Sequence, residues 1–278
     1  MAVRVYIVSA FCKDDRGGNR AGVVLFKNAL RVAQKKEIAR KPGCSETVFV
    51  TRGTRADFRL VYFTPCAEVP LCGHATIAAF ALMRRLCMLD LSAYSFETKA
   101  GVFSLRLCDE RIFMEQAAPA YFETIESPAL AKCFDAADIS ARYPIQIVST
   151  GLRDILLPME SAEALYALTP RFDEIAEISR KYDAVGIHAF ALRGERILCR
   201  NFAPLYGIPE EAATGTANCA LAGYLHRRGI LRQSDYNIEQ GASLGAPSEI
   251  SVRIETDGAE ISRIFVGGKS RFIEELSL

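Results

Sequence analysis

The sequence predicts an α+β fold built from two similar halves, and three observations carry that prediction. Strand-like stretches follow one another in hairpins instead of alternating regularly with helices. One run of motifs occurs twice, 139 residues apart in a chain of 278. Each copy leads into a helix-length segment that is apolar on nearly every face, as expected of a helix buried at the centre of its own domain. The halves are expected at 1–120 and 121–278, with the C-terminal tail able to cross back.

The elements follow from local composition. Stretches 4–9, 22–26, 47–51 and 57–63 carry β-branched or aromatic residues between Gly, Pro or polar breaks and read as strands. Stretches 93–98, 102–108 and 111–116 are joined by Ala100-Gly101 and Asp109-Glu110, which read as tight turns of an antiparallel meander. The second half repeats the style with strands at 145–150, 154–158, 184–192, 196–201, 237–240, 249–254 and 260–266. Helices are expected at 32–39, 127–134, 162–168 and 174–181, and the two apolar helices at 75–89 and 217–228.

Composition excludes several classes. The formal net charge is +1 with 24% charged residues, so no electrostatic footprint for nucleic acid is present. The most apolar run is interrupted by Arg84 and Arg85 and falls short of a membrane span. The opening residues are too short and too interrupted for a signal peptide. Nine cysteines, an odd number with no Cys-x-x-Cys pair, point to reduced thiols and a cytoplasmic setting. His74, His188 and His226 have no metal-ligand spacing, so no metal site is expected. No dinucleotide or P-loop fingerprint occurs.

The repeat concentrates the chemistry. Phe63-Thr64-Pro65 and Phe202-Ala203-Pro204 each end a strand, pass through a second proline (Pro70, Pro209) and reach Gly-x-Ala at Gly73-His74-Ala75 and Gly215-Thr216-Ala217. Both following helices carry paired basic residues near their ends, Arg84-Arg85 and Arg227-Arg228. A helix that starts at such a glycine offers first-turn N–H groups with partial positive charge, suited to a substrate carboxylate.

At these loops the sequence resembles the phenazine-biosynthesis (PhzF-like) isomerase family. The matching pieces are Glu68-Val69-Pro70-Leu71-Cys72-Gly73-His74-Ala75-Thr76, Gly207-Ile208-Pro209-Glu210-Glu211-Ala212-Ala213-Thr214-Gly215-Thr216-Ala217, Ser45-Glu46-Thr47 and Gly18-Asn19-Arg20-Ala21-Gly22. Gln240-Gly241, Pro247-Ser248 and Val266-Gly267-Gly268 match further downstream. The resemblance implies a diaminopimelate-epimerase-like fold, each half a mostly antiparallel sheet wrapped around a central helix, with a cleft between the halves. It also implies a homodimer, no cofactor, and proton transfer on a small carboxylate-bearing carbon acid. By the same resemblance the catalytic residues are Glu46 as general acid/base, His74 and Glu211, and the substrate-binding residues are Gly73, Cys72, Gly215 and Thr216. Burial of Glu46 beside an apolar strand is expected to desolvate it and raise its pKa.

Three positions depart from the family pattern: Glu211-Ala212 for Asp-Pro, Thr216 for Ser, and Arg20 for Pro. Two other readings compete. A thiol enzyme, racemase or hydrolase, would use Cys72, whose pKa a helix start lowers. Thr214 stands where two-cysteine racemases carry the second thiol, and residues two apart at a helix start share a face poorly. A non-catalytic protein that only binds a small molecule is the third. His188 and His226 have no evident partner and read as structural, and Cys219 reads as core.

Overall fold

A computed structural model describes residues 2–27, 30–135 and 138–278. The helices are α1 (Val32–Arg40), α2 (Gly73–Arg85), α3 (Ala162–Ala167), α4 (Phe172–Lys181) and α5 (Gly215–Arg227). The chain divides into two units, Met1–Glu115 with Gly267–Leu278, and Gln116–Val266.

In the first unit Arg4–Ala10 pairs antiparallel with both Asn19–Leu25 and Ser270–Ser277, with Ile7 opposite Gly22 and Val8 opposite Phe272. Asn19–Leu25 runs parallel to Glu46–Arg52, which is antiparallel to Phe58–Phe63. That strand is parallel to Ala93–Thr98, and Gly101–Cys108 and Arg111–Gln116 complete the meander. Thr47 to Val50 are buried in succession, so Glu46–Arg52 is a central strand covered on both faces. Arg20, where the family has proline, joins the ladder opposite Ser9. Helix α2 buries nine residues, from His74 to Met83. Its Phe80 meets Phe58 edge-on at 5.5 Å and also contacts Tyr94 and Phe96.

The second unit repeats this order of pairings. Ile145–Ser149 is antiparallel to Arg153–Pro158, which is parallel to Ile187–Arg193. Ile187–Arg193 is antiparallel to Arg196–Ala203, which is parallel to Asp235–Gln240, itself antiparallel to Ser248–Asp257. Helix α5 buries Ala217 to Leu225 without interruption. The short strands that follow the Phe-x-Pro motifs, Glu68–Val69 and Ile208–Glu211, pair back in the same way. Duplication therefore extends from a thirteen-residue motif to the whole strand order.

Two expectations need correction. The helix expected at 127–134 is only a 3₁₀ turn, Ser127–Leu130. Phe134 forms a bridge with Pro170, and the Cys133 carbonyl accepts from Arg171 N, so tertiary pairing draws the chain out of helical form. The apolar helix expected at 75–89 starts two residues earlier and stops at Arg85, because Cys87 takes a left-handed conformation (φ 54°). Four strands had not been expected: Glu68–Val69, Ala120–Ile125, Ile208–Glu211 and Ser270–Ser277. Among the described residues no helix is long and apolar enough to cross a membrane.

Candidate active site

Glu46 opens its strand opposite Ala21, at the mouth of the ladder instead of within it. Its carboxylate Oε2 lies 3.3 Å from His74 Nε2, and the side chains are 16% and 7% exposed. His74 is the second residue of α2. Its Nδ1 lies 3.4 Å from Cys72 Sγ and 3.4 Å from Asn19 Nδ2, and Ser45 Oγ is 3.5 Å from Nε2. The start of α2 is braced from below: Thr76 Oγ1 donates to Cys72 O at 2.7 Å, and the buried Tyr62 hydroxyl meets Thr76 Oγ1 at 2.6 Å. That bracing holds the Gly73 N–H at the positive end of the helix.

Electrostatics ties the cluster together. Burial acts to raise the Glu46 carboxyl, but close contact with His74 and its charge outweigh it, and the net shift is downward. The expectation of a raised Glu46 is thereby reversed, because desolvation is offset by a cation in contact. Burial opposes charge on His74 too, yet contact with Cys72 first and Glu46 second holds it well above its ordinary value. Burial pushes the Cys72 thiol up while His74 pulls it back, so thiol, carboxylate and imidazole titrate as one coupled cluster. Cys72 and His74 do touch, against the expectation from helix spacing. Cys72 is the cap, with extended φ −145° and ψ 113°, so the rule for two helical residues does not govern it. Carboxylate, thiol and imidazole donor atoms lie within 4.8 Å of one another, a set that could hold a soft divalent metal and that no sequence spacing announces.

In the second unit Glu211 ends the strand Ile208–Glu211, and its Oε2 accepts from Thr214 Oγ1 at 2.8 Å. Its neighbour Glu210 forms a two-pronged pair with the buried Arg200, with both contacts at 2.9 Å, and also accepts from Ser243 Oγ at 2.5 Å. This brace holds the segment in which Ala212 replaces proline. Gly215 and Thr216 begin α5, and the Thr216 carbonyl accepts from Thr150 Oγ1 at 3.0 Å.

Sequence reasoning missed several polar groups. Tyr62 and Asn218 support the motif residues from outside any motif, whereas Asn19 and Gln240 stand in matched runs that gave them no role. Asp154 is buried, its Oδ2 meets no hydrogen-bond partner, and burial followed by the charge of Glu211 pushes it up to about 8. His188 and His226 do have partners: His188 meets Asn218 and Asn201, and His226 Nδ1 meets the Tyr236 hydroxyl at 3.2 Å. Cys219 is buried core.

Known proteins share this fold and family. Residues 8–275 match the PhzC-PhzF family, described as phenazine biosynthesis-like protein. An uncharacterized isomerase of Deinococcus radiodurans is 37% identical over 278 aligned residues, covering 94% of this chain and 90% of the relative. The trans-2,3-dihydro-3-hydroxyanthranilate isomerase of Pseudomonas aeruginosa is 30% identical, covering 98% of each chain. The crystal structure of a PhzF-family phenazine biosynthesis protein from Bacillus anthracis superposes with a TM-score of 0.90 at 25% identity, covering 100% of this chain and 99% of the other. The chain belongs to the PhzC-PhzF, phenazine biosynthesis-like family of isomerases.

Proposed function

We propose that this isomerase works without a cofactor and moves a proton between two carbons of a small, unsaturated, carboxylate-bearing acid, with Glu46 as the general acid/base. The observation that carries this reading is the buried Glu46–His74 ion pair at 3.3 Å, set at the start of α2. Glu46 is held as a carboxylate and is therefore in the basic form when substrate arrives. It takes the proton from an allylic carbon, the C–H electron pair moves into the conjugated system, and the protonated Glu46, free to exchange with solvent, delivers a proton at the far carbon. Atoms and charge balance with no oxidant or leaving group. His74 stays close enough to stabilise the carboxylate before and after transfer. The Gly73 N–H, with Cys72 beside it, is assigned to the substrate carboxylate. In the second unit the same assignment falls to Gly215 and Thr216, while Glu211 holds a donor group of the substrate. Charge stabilisation by such fixed donors is the largest contribution open to a site of this kind.

The first probe is trans-2,3-dihydro-3-hydroxyanthranilate, the compound in the name of the Pseudomonas relative, followed by smaller cyclic and amino acids. Turnover followed by NMR is expected to fall by roughly 10²–10⁴-fold in Glu46→Gln, the usual worth of general acid–base catalysis, with the fold intact. A fully active Glu46→Gln sinks the reading.

A thiol mechanism draws on one specific observation, the 3.4 Å approach of Cys72 Sγ to His74 Nδ1. Against it stand the raised thiol and the hydroxyl of Thr214 where a second thiol would be needed. Turnover abolished in Cys72→Ser but kept in Glu46→Gln would favour it.

A further inference from the structure

A chain of buried polar side chains runs through the second unit and ends on Glu211. Asn201 and His188 are register partners on neighbouring strands, and Asn201 Nδ2 lies 3.2 Å from His188 Nδ1. His188 Nε2 lies 3.2 Å from Asn218 Oδ1. Asn218 Nδ2 donates to Thr214 O at 2.7 Å and to Gln240 Oε1 at 2.8 Å. Gln240 Nε2 donates to Glu211 O at 2.7 Å and to Thr214 Oγ1 at 3.1 Å. Thr214 Oγ1 then donates to Glu211 Oε2 at 2.8 Å. His188 and Asn218 are 0% exposed, Asn201 1% and Gln240 2%.

Only one set of donor directions satisfies all these contacts. An amide NH₂ can only donate, so His188 Nδ1 accepts from Asn201. An amide oxygen can only accept, so His188 Nε2 carries the hydrogen. The imidazole is therefore neutral, in agreement with burial pushing it down to about 4. Both Asn218 amide hydrogens and both Gln240 amide hydrogens are then committed. The Thr214 hydroxyl, already accepting from Gln240, turns its own hydrogen to Glu211. Every donor points the same way, and the terminal acceptor is a carboxylate oxygen.

We propose that His188, Asn218 and Gln240 are positioning residues: through Thr214 they fix the Glu211 carboxylate in one orientation, as an acceptor, before substrate binds. The proposal rests on the reading that Glu211 holds substrate, but its structural core does not. It also accounts for a chain in which Ala212 stands where the family carries a rigid proline: rigidity comes from side-chain hydrogen bonds made by residues scattered over five elements. Linked bonds of this kind polarise one another, so removing the far end weakens the near end.

Nitrogen-15 NMR of the full chain at neutral pH reads the first arm: His188 is expected as the neutral Nε2–H tautomer. A cationic ring or an Nδ1–H tautomer overturns the proposal. The second arm measures hydrogen exchange of the Gln240 side-chain NH₂ in His188→Leu. It is expected to quicken about tenfold, the equivalent of one hydrogen bond lost, although His188 does not touch Gln240. His188→Gln, whose amide nitrogen stands in for Nε2–H, is expected to restore slow exchange. Unchanged exchange in His188→Leu, or no rescue by glutamine, overturns it. Should His188→Leu fail to fold, Thr214→Val removes the hydroxyl's two links, from Gln240 and to Glu211, at a half-buried loop, and the same Gln240 protons are expected to loosen. With trans-2,3-dihydro-3-hydroxyanthranilate as probe, His188→Leu is expected to raise KM about tenfold while kcat stays nearly constant, since Glu46 is untouched. Absence of any turnover by the wild-type chain counts against the proposed reaction alone, and the NMR arms still decide the positioning chain.

Discussion

Glu46 and His74 titrate against each other, and the signs of their shifts fix what pH does to both stability and rate. The Glu46 carboxyl is lowered from its ordinary 4.5, so its contribution to stability is present above 4.5 and is lost as pH falls through the lowered value. The His74 imidazolium is raised well above 6.5, so its contribution is present below 6.5 and is lost as pH rises through the raised value. Between these limits the pair is intact. The rate kcat/KM is expected to follow the same window, with an acid limb below 4.5, where Glu46 ceases to be a base, and an alkaline limb above 6.5. Histidine NMR gives an independent check: in Glu46→Gln the His74 titration is expected to drop, because one of the two groups that raise it, Cys72 being the other, is gone. An unmoved His74 would mean that another group holds the imidazolium. At this scale the motif residues were legible in the sequence, since Glu46, His74 and Cys72 stand in recognisable runs. The charge state of Glu46 was not, because it depends on a cation 28 positions away in the chain that only folding brings into contact.

At the scale of elements, both halves solve one problem in the same way. A buried helix beginning at glycine has to be fixed at its start, and in each unit the side chain of the helix's fourth residue donates to the carbonyl of the residue just before the helix. Thr76 Oγ1 donates to Cys72 O and Asn218 Nδ2 to Thr214 O, each at 2.7 Å. Each of these side chains also meets a polar group on a neighbouring strand, Tyr62 for Thr76 and His188 for Asn218. The loop after Gln240 completes the second support. Gly241 sits at φ 80°, and a Cβ there would collide with the carbonyl oxygens of Ala246 and Ala212. Gly241→Ala is expected to lower unfolding stability by about 1–3 kcal/mol and to displace Ala212 beside Glu211. Denaturant unfolding measures the first effect, and an unchanged midpoint would show that the loop gives way freely. The helices and long strands were legible because their apolar pattern is local. Ile208–Glu211 was hidden inside a motif rich in proline and charge, and the 127–134 segment looked helical until its pairing with Thr169 to Arg171 was visible.

For the molecule as a whole, the last strand shows what local pattern leaves out. Ser270–Ser277 is half exposed and charged, with little to mark it as a strand, yet it lies along Arg4–Ala10 near the opposite end of the chain. Ile273, Leu276 and Leu278 pack on the cluster of Val3, Val5 and Ile7. Removing residues 269–278 would open one edge of Arg4–Ala10 and uncover that cluster. The shortened chain is expected to aggregate or to melt far below the full chain, which expression and circular dichroism would reveal. A shortened chain as stable as the full one would make the strand dispensable. The duplicated strand order, by contrast, was visible in outline from the paired Phe-x-Pro and Gly-x-Ala motifs, because each motif marks the point where a strand hands over to a buried helix.

Solvent-deuterium uptake tests the central claim most directly. The protein is incubated in D₂O with trans-2,3-dihydro-3-hydroxyanthranilate and with small cyclic and amino carboxylates, and NMR follows the carbon-bound hydrogens beside Glu46→Gln. The account predicts bond migration or deuterium at carbon that depends on Glu46. Uptake that persists in Glu46→Gln and disappears in Cys72→Ser would contradict it and move the base to the thiol.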